Sequence, residues 1–514
     1  MPLSLLLPLL TPCPQDVIHR FDGSTDLEFF GRGLASIEDS DRDGYPDLLI
    51  GVSRADDLAI DAGRVEIRSS ANGRILKTFP GAVVDGMLGY SVASCGDLDG
   101  DGVPDVIAGA VNDSIGGLGS GAVFAFSGAS GNRLWTATGL AGQREGYAMA
   151  SIADVNADGV ADLLVGAPAA VHRGVMGGQA RVLSGATGDE LRVHTGTVEE
   201  MEMGHFVSAL SDLDSDGVSD YAVGAHYDDT GHPRAGAVFV YSGATGKLIR
   251  TFRGAYPKGY FGNSIAGAND LDGDGVGEII IGAPGGLFFG KVFVYSGATG
   301  RQLFLFESDN QGEVFGNRVA AADVNGDGLD DFAIAARLAN DEQGRVAVYS
   351  GADGSMLAQM RGRDRGSRFG QGLVAIGDTN GDGSDEWMAW AAEESALGKK
   401  AGQVTLHSGS PLHTTRIDQL VAGSTATAVV GGCQPGAVVL LAWSLQGAGP
   451  TESEWGRVSL SMPLTQLPSA VADSRGEARW SAPIPAGIEG TPVWLQGLDL
   501  TAGVLSQPLS AIIQ

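Results

Sequence analysis

Residues 203–225 read MGHFVSALSDLDSDGVSDYAVGA, and the order of the segments within them predicts the architecture of this chain. A glycine next to a ring side chain leads into an acidic loop, and the loop leads into an apolar run that ends in small residues. After a variable loop come the alternating segment GAVFVYSG, the glycine turn ATGK and a last short segment, LIRTF. Alternating apolar residues between glycine-rich turns are typical of short antiparallel strands. The stretch and its continuation therefore predict four strands.

The same order of parts recurs along most of the chain. The pattern D-x-[DN]-x-D-G begins at seven places: Asp39, Asp97, Asp154, Asp212, Asp270, Asp323 and Asp378. Successive copies begin 53 to 58 residues apart, and so regular a period marks a repeat architecture. Units of four short antiparallel strands are typical of β-propeller blades, and closure of the ring leaves no long exposed edge. The sequence therefore predicts an all-β fold with a seven-bladed β-propeller over residues 16–414.

The two ends of the repeat array predict how the ring closes. Before the first repeat lies one strand-like stretch, Val17 to Phe21, which matches the last strand of a repeat. After the seventh copy of the third strand, GQVTLHSG, the expected last strand is replaced by the less regular PLHTTRI. We therefore expect the N-terminal stretch to supply the outer strand of the last blade.

Each acidic loop has the composition of a calcium site. Ca²⁺ prefers about six to eight oxygen ligands, and acids at alternate positions can point inward while a glycine permits the sharp bend. Positions one, three, five and nine would supply side-chain oxygens, and position seven a main-chain carbonyl. The sequence predicts up to seven structural Ca²⁺ ions with these ligands: Asp39, Asp41, Asp43, Tyr45, Asp47; Asp97, Asp99, Asp101, Val103, Asp105; Asp154, Asn156, Asp158, Val160, Asp162; Asp212, Asp214, Asp216, Val218, Asp220; Asp270, Asp272, Asp274, Val276, Glu278; Asp323, Asn325, Asp327, Leu329, Asp331; Asp378, Asn380, Asp382, Ser384, Glu386.

Two other interpretations of the loops are less consistent with the sequence. An EF-hand shares the first half of the motif but needs a glutamate at position twelve and flanking helices. Position twelve is apolar in all seven loops: Ile50, Ala108, Val165, Val223, Ile281, Ile334 and Ala389. A single copy could be an ordinary polar turn, but seven copies with an acid at position nine favour metal binding.

Composition and charge limit the kinds of partner that this protein is expected to bind. The 514 residues carry a formal charge of −29, with 62 acidic and 33 basic residues, which disfavours nucleic acid and anionic membranes and favours cations. Three cysteines are too few and too far apart for a disulfide framework or a zinc site, and the eight histidines are scattered along the chain. Sites of this kind in extracellular modules are often of millimolar to sub-millimolar affinity, so they would be empty at cytosolic calcium. We therefore expect a secreted or cell-surface location.

The two ends of the chain differ from the repeats. Met1 to Leu10 (MPLSLLLPLL) resemble the apolar part of a secretory signal, although a basic segment and an A-x-A cleavage site are missing. We interpret residues 1–15 as a signal segment, with a buried strand as the alternative. Later apolar runs are shorter than the roughly 18 residues of a membrane span. Residues 415–514 contain no lysine and show six or seven strand-like segments between proline and glycine turns, which predicts a separate C-terminal β-sandwich.

The repeats resemble the FG-GAP repeats of the integrin α-subunit propeller. FG stands at Phe30-Gly31, Phe261-Gly262, Phe315-Gly316 and Phe369-Gly370, and GAP at Gly166-Ala167-Pro168 and Gly282-Ala283-Pro284. The resemblance covers roughly residues 17–414 and implies a seven-bladed, calcium-binding propeller of an extracellular or surface protein. The integrin family binds calcium in only some blades, and the rest of this chain does not resemble an integrin. Adhesion of the integrin type is therefore not implied outright.

Strand alternation predicts where a ligand would bind. The acidic loops and the SGATG-type turns should share one face, while the opposite face carries the variable loops and the blade junctions, where a rigid scaffold presents its binding surface. Candidate residues on that face are His226, Tyr227, Asp228, Asp229, His232 and Arg234; Tyr256, Lys258 and Tyr260; Arg361, Arg363, Arg365 and Arg368, which make a basic junction before the seventh repeat; and Phe288 and Phe289. For any one of these residues a solvated loop is the preferred interpretation, and Phe288 and Phe289 could be either packing residues or exposed contacts.

Three functions are consistent with this pattern. The first is a binding or adhesion scaffold, monomeric and not an enzyme, whose partner is an extracellular protein or glycan. The second is a calcium-dependent extracellular hydrolase or lyase built on a propeller. The third is a structural surface-layer component. A catalytic site should be a unique cluster, whereas the strongest polar groups here recur seven times, and neither G-x-S-x-G nor H-E-x-x-H occurs.

Overall fold

The computed structural model describes residues 17–285, 289–308, 310–381, 383–394 and 401–409 of the repeat region. Towards the C-terminus it describes residues 414–418, 425–431, 438–445, 451–453, 456–458, 465–472, 478–483, 491–499, 504–505 and 509–512. Residues 1–15, which we interpret as a signal segment, lie outside the described residues. The chain divides into two compact units, of which one is Pro14–Val324 with Gly328–Gly409 and the other is formed mainly by Ser410–Gln514.

The larger unit is built almost entirely of short strands, as the sequence predicts. A helical turn, α1 (Ala339–Glu342), is distorted, because Asn340 and Asp341 within it have φ angles of 53° and 60°. The elements are β1 Val17–Asp22, β2 Phe30–Ile37, β3 Asp47–Val52, β4 Arg64–Arg68, β5 Ile75–Pro80, β6 Leu88–Ala93, β7 Val106–Ala110, β8 Ala122–Phe126, β9 Arg133–Thr138, β10 Ala148–Ile152, β11 Asp162–Ala167, β12 Gln179–Leu183, β13 Glu190–Thr195, β14 Phe206–Ala209, β15 Tyr221–Ala225, β16 Ala237–Tyr241, β17 Leu248–Arg253, β18 Ser264–Ala268, β19 Glu278–Ala283, β20 Lys291–Ser296, β21 Gln302–Glu307, β22 Phe315–Ala322, β23 Asp331–Ala336, α1 Ala339–Glu342, β24 Arg345–Tyr349, β25 Met356–Arg361, β26 Phe369–Gly377, β27 Glu386–Ala391 and β28 Gln403–His407.

These strands form seven four-stranded antiparallel sheets within the described part of the chain. Six sheets follow chain order, from β2-β3-β4-β5 to β22-β23-β24-β25, and the seventh has the order β1-β28-β27-β26. In that last sheet β1 pairs with β28, with Phe21 opposite Val404. The expectation that the N-terminal stretch supplies the outer strand of the last sheet is confirmed.

The second strand of each sheet lies in the core. All residues of β3, β7, β11, β15, β19, β23 and β27 are buried. A strand that is covered on both faces needs a continuous apolar run rather than alternation, and these runs (for example DLLIGV and EIIIGA) have that composition. Outer strands such as β5 and β17 keep several exposed residues. The core therefore lies between neighbouring sheets.

Glycine sets the distance between neighbouring sheets. Gly224 of β15 lies against Gly262 at the start of the next sheet, where an added Cβ would overlap the Gly262 carbonyl oxygen. The same pairing joins Gly51 to Gly89, Gly109 to Gly146, Gly166 to Gly204 and Gly282 to Gly316. The first strands of consecutive sheets lie in contact, and β26 lies in contact with β2. These glycines, which include those of the FG dipeptides Phe261-Gly262 and Phe315-Gly316, are thus points of close approach between sheets.

The smaller unit is also made of strands. They are β29 Thr414–Asp418, β30 Thr425–Gly431, β31 Val438–Ser444, β32 Thr451–Ser453, β33 Gly456–Val458, β34 Thr465–Gln466, β35 Ala470–Val471, β36 Ala478–Pro483, β37 Pro492–Asp499, β38 Val504–Leu505 and β39 Leu509–Ile512. They form a three-stranded sheet, β29-β30-β36, a six-stranded sheet around β31 and β37, and the hairpin β32-β33. Val430, Val439 and Leu441 are among the residues of a shared buried cluster.

Across the described residues, no helix is long and apolar enough to cross a membrane.

Candidate functional site

Each acidic loop joins the first strand of a sheet to the second, and its ninth residue is a buried acid. This residue begins the second strand or directly precedes it, so its side chain enters the core. The seven position-nine carboxylates are all at most 1% exposed: Asp47, Asp105, Asp162, Asp220, Glu278, Asp331 and Glu386. A buried carboxylate needs hydrogen-bond donors or a cation beside it.

The position-nine acid connects the acidic loop to the turn between strands three and four. In the second repeat Asp105 Oδ2 accepts the N–H of Leu98 at 2.7 Å, and Oδ1 accepts the N–H of Gly128 at 2.7 Å. Asp220 repeats both bonds, with Leu213 and Gly243, at 2.8 Å each. These bonds place the acidic loop and the SG turn together, as expected for two turns on one face.

The position-one aspartate holds the loop in shape. Asp97 Oδ2 accepts the N–H of Gly102 at 2.8 Å, and Oδ1 accepts that of Gly100 at 2.8 Å. These backbone hydrogen bonds, with Gly102 the largest contribution, lower the pKa of Asp97, and the bond from Gly275 does the same for Asp270. Gly102 has a φ of 84°, a conformation that glycine adopts without strain. The glycine of the motif is therefore explained by the bend.

Carboxylates converge in four of the predicted loops. Within each cluster, one ligand atom from every member lies within 4.8 Å of the others. The clusters that the described residues form are Asp39, Asp41 and Asp43; Asp97, Asp99 and Asp101; Asp212, Asp214 and Asp220; and Asp270, Asp272, Asp274 and Glu278. The predicted ligands of these loops are thus largely brought together.

The electrostatics of the clusters fit a bound cation. Burial, followed by repulsion from neighbouring aspartates, raises the pKa of Glu278 to about 7 and the pKa values of Asp47 and Asp220 to about 6. Glu278 Oε1 and Asp41 Oδ1 are buried and have no hydrogen-bond partner in the described structure. Oxygen donors of this kind suit a hard cation such as Ca²⁺. The residues present therefore fit the metal that the sequence predicts.

The described residues of the other three loops do not form such a carboxylate cluster. In the third loop Asn156 Nδ2 donates to Asp158 Oδ2 at 2.9 Å. In the seventh loop Asn380 Nδ2 donates to Glu386 Oε1 at 2.9 Å, and Asp382 lies outside the described residues. In the sixth loop Asp323 Oδ2 accepts the N–H of Gly328 at 2.7 Å. These loops share the backbone geometry of the others.

Sequence reasoning missed the serine of the SG turn. Its hydroxyl donates to the position-five carboxylate in three repeats, from Ser184 at 3.3 Å, Ser242 at 3.2 Å and Ser296 at 3.3 Å. The sequence contains a signal for this contact, because SG recurs at the end of the third strand in most repeats. By itself, however, the dipeptide indicates only a turn that connects two strands.

The predicted ligand face contains both surface residues and structural ones. Tyr227 and Arg234 line a pocket of about 510 Å³ together with His226. Asp228 is 3% exposed and forms an ion pair with Arg253 at 3.3 Å, so it is part of the loop's own structure. Phe289 is 40% exposed, and Phe288 lies outside the described residues.

The predicted basic junction is not a free positive patch. Arg363 pairs with Glu394 at 4.0 Å, and Arg365 pairs with Asp341 at 3.6 Å. Arg368 contacts Glu393 at 2.8 Å and Glu342 at 2.9 Å, while Arg361 ends strand β25. The nearby acids largely neutralise this cluster, which corrects its interpretation as a basic surface.

The fold and the loops define an all-β repeat protein with acidic loops, and comparison with known proteins gives its relatives. The FG-GAP repeat model matches residues 146–183, 261–295 and 315–349. The chain carries FG-GAP repeats and resembles the propeller region of integrin α subunits.

Integrin alpha-5 of Xenopus laevis is 33% identical over 218 residues, which cover 39% of this chain and 20% of that protein. Integrin alpha-V of Gallus gallus is 34% identical over 217 residues, with the same shares of 39% and 20%. Integrin alpha-8 of Homo sapiens is 28% identical over 287 residues, or 52% of this chain and 26% of that protein. The chain thus matches about a fifth to a quarter of the length of these relatives.

Among solved structures, the quinohemoprotein alcohol dehydrogenase ADHIIG of Pseudomonas putida HK5 aligns with a TM-score of 0.41 at 12% identity. The alignment covers 71% of this chain and 65% of that chain. A similarity at this level carries no inference about function.

Proposed function

We propose that this protein is a secreted or cell-surface, calcium-binding scaffold that binds an extracellular protein or glycan on the face opposite the acidic loops. In this proposal the seven four-stranded sheets are the blades of one β-propeller over residues 16–414. Residues 415–514 form a separate β-sandwich module, residues 1–15 are a signal segment, and the protein is a monomer.

One observation carries the proposal: the acidic residues recur in every repeat, and their carboxylates make contacts within the scaffold itself. Each position-nine acid is buried, and those of most repeats accept hydrogen bonds from both the acidic loop and the SG turn. A cation held beside such an acid stabilises the folded chain only, since the unfolded chain has no such cluster. Up to seven Ca²⁺ ions would therefore hold the strands of the sheets together. This role needs no catalysis at the loops.

The opposite face has the properties of a binding surface. Its loops differ in length and chemistry from repeat to repeat, while the sheets beneath them are closely packed. Exposed or half-buried aromatic and basic side chains, such as Tyr227, Arg234 and Tyr256, lie there. Aromatic residues and arginine are the types that contribute most to protein and glycan recognition. The resemblance to integrin α subunits supports a location outside the cytoplasm.

The test is a screen of glycan and extracellular-protein arrays with the full chain, in the presence of calcium and after chelation. We expect calcium-dependent binding that a double substitution of Tyr227→Ala and Arg234→Ala weakens at least tenfold without loss of fold. Asp353→Asn serves as the matched surface control, because Asp353 is an exposed turn residue near the acidic loops.

Two outcomes would replace this proposal. Turnover in matched esterase, phosphatase and polysaccharide-degradation assays, abolished by one loop substitution, would establish an enzyme instead. Ordered self-assembly into sheets, without binding to any array component, would establish a structural surface-layer role.

A further inference from the structure

A strained turn recurs at the beginning of every sheet, on the face opposite the acidic loops. The residue two positions before the first-strand glycine has a positive φ in all seven repeats, although it is never glycine: Phe29, Met87, Arg144, Glu202, Tyr260, Val314 and Arg368. In six repeats its carbonyl accepts the N–H of the residue three positions later, as from His205 to Glu202 at 3.1 Å. The turn fixes two side chains, at its first and fourth residues.

Only the fourth repeat has metal-binding side chains at both positions of this turn. The seven pairs are Phe29 and Arg32, Met87 and Tyr90, Arg144 and Tyr147, Glu202 and His205, Tyr260 and Asn263, Val314 and Asn317, and Arg368 and Gln371. In the same repeat His226 follows Gly224 and Ala225, at the position that Pro168 and Pro284 hold in the two GAP motifs. The other four repeats have Ser53, Val111, Arg337 and Ala392 there. The combination of Glu202, His205 and His226 therefore occurs in this repeat alone.

The three side chains converge in the folded chain. His205 Nδ1 lies 3.3 Å from Glu202 Oε2, and His226 Nε2 lies 3.8 Å from the same oxygen. The two imidazole rings are 3.9 Å apart between centroids. Two of the eight histidines that are scattered along the sequence are thus neighbours in the folded chain. The cluster lines the pocket of about 510 Å³ that also contains Tyr227 and Arg234.

Neither histidine has all its ring nitrogens hydrogen-bonded. His226 is 4% exposed, and the His205 side chain is 18% exposed. The Nδ1 atoms of His205 and His226 are buried and have no hydrogen-bond partner in the described structure. At His205 this nitrogen is the one that faces Glu202, which indicates a missing ligand there. At His226 the nitrogen nearer Glu202 is Nε2, so the unpartnered Nδ1 is the other ring nitrogen. Tyr147 packs on His205 at 5.0 Å and Tyr227 on His226 at 3.9 Å between ring centroids.

We propose that Glu202, His205 and His226 form a binding site for a divalent transition-metal ion of the Zn²⁺ class, separate from the calcium loops. Two imidazole nitrogens and one carboxylate oxygen are a donor set that suits zinc and disfavours calcium. A tetrahedral site with bonds of about 2.1 Å has ligand atoms about 3.4 Å apart, close to the 3.3 and 3.8 Å found here. The fourth position is open to the pocket, for water or for a donor atom of a bound molecule.

Basic and acidic groups surround the site. Arg318 and Arg32 lie close enough to His205 to act on it electrostatically. The Glu202 carboxylate offsets the positive charge of these arginines. In addition, Glu200 at the rim of the pocket pairs with Arg234 at 3.6 Å.

The experiment is a zinc titration of the full chain by calorimetry in excess Ca²⁺, which keeps the oxygen clusters filled. We expect one equivalent of Zn²⁺ to bind, and Co²⁺ in its place to give the visible absorption bands of a four-coordinate nitrogen and oxygen site. Glu202→Gln and His226→Gln should each weaken binding at least tenfold. Glu202 is 37% exposed, so its variant should keep the fold, which circular dichroism and the melting temperature verify.

Two matched controls lie beside the cluster. Glu200→Gln removes an acid from the same pocket, and His232→Gln removes an exposed histidine from the same loop. Neither should change zinc affinity. Failure of the unsubstituted chain to bind one equivalent would overturn the proposal. So would retention of affinity in folded Glu202→Gln, or an equal loss in the controls, which would place the ion elsewhere.

Discussion

The two ends of the fourth sheet differ in kind. At one end the loop from Asp212 to Asp220 shares the D-x-[DN]-x-D-G pattern and the buried ninth-position acid with its counterparts in the other repeats. At the other end Glu202, His205 and His226 occupy positions that hold a different combination in every other repeat. Repetition indicates what every sheet needs in order to fold and pack, whereas a combination that occurs once is free to serve a ligand.

Removal of calcium should have the largest effect, because it acts on all the repeated loops together. Each occupied site contributes about 2.7 kcal/mol at a hundredfold excess of ion over its dissociation constant. We therefore expect chelation to lower the melting temperature by about 10 °C or more, measured by scanning calorimetry. Calcium should restore the original value, and magnesium should restore much less of it, because it demands a smaller octahedral shell. An unchanged melting temperature would contradict calcium binding by the folded loops.

Adding a methyl group at one of the glycine contacts between sheets should cause the next largest loss of stability. In Gly224→Ala the new Cβ would overlap the Gly262 carbonyl oxygen, and neighbouring sheets would have to separate. We expect a loss of about 2–3 kcal/mol in the free energy of unfolding.

The sixth repeat supplies the matched control for that substitution. There Ala335 already occupies the equivalent position, and its Cβ lies at the contact with Gly370. Ala335→Gly should cost only about 1 kcal/mol, mainly through chain entropy. Denaturant unfolding of the two variants measures the difference. Equal losses would show that the glycine contact does not set the distance between sheets.

The repeated features are also those that the sequence could predict. The alternating segments between glycine turns predicted four strands per repeat, and the period of the D-x-[DN]-x-D-G motif predicted seven repeats. The pairing of β1 with β28 followed from the missing last strand. The acidic clusters followed from alternate spacing, because neighbouring loop residues meet through local backbone geometry. Sequence reasoning did not find the cluster of Glu202, His205 and His226. His226 reaches it from a different connection, and nothing in the local pattern gives that distance.

A single departure from the repeat is not by itself functional, and His407 shows why. It occupies the position of Tyr241, Tyr295 and Tyr349 at the end of the third strand, where it stacks on Trp387 at 4.2 Å. Thr405 Oγ1 lies 2.8 Å from its Nε2. His407 is 3% exposed, so we interpret it as a packing residue whose charge state is sensitive to pH.

The contribution of His407 to the pH dependence of stability should be smaller than the effects of calcium removal and of Gly224→Ala. Burial lowers the pKa of His407 to about 3, while in the unfolded chain it is close to 6.5. The unfolded state therefore binds a proton that the folded state does not, and stability falls as pH drops from 6.5 towards 3. The slope is about 1.4 kcal/mol per pH unit. Between pH 8 and pH 5, His407→Tyr should lose about 2 kcal/mol less than the unsubstituted chain. Parallel curves would contradict a neutral, buried imidazole.

The smallest effect on stability should come from substitution of Arg234, in the pocket on the predicted ligand face. The Arg234 side chain is 48% exposed, its guanidinium lies 4.8 Å above the Tyr227 ring, and its partner Glu200 is 65% exposed. Exposed contacts of this kind contribute at most about 1 kcal/mol, so Arg234→Ala should leave the melting temperature nearly unchanged. Calorimetric melting in calcium measures this directly. A loss as large as that of Gly224→Ala would show that the pocket is part of the scaffold, and the distinction between the repeated loops and the single pocket would fail.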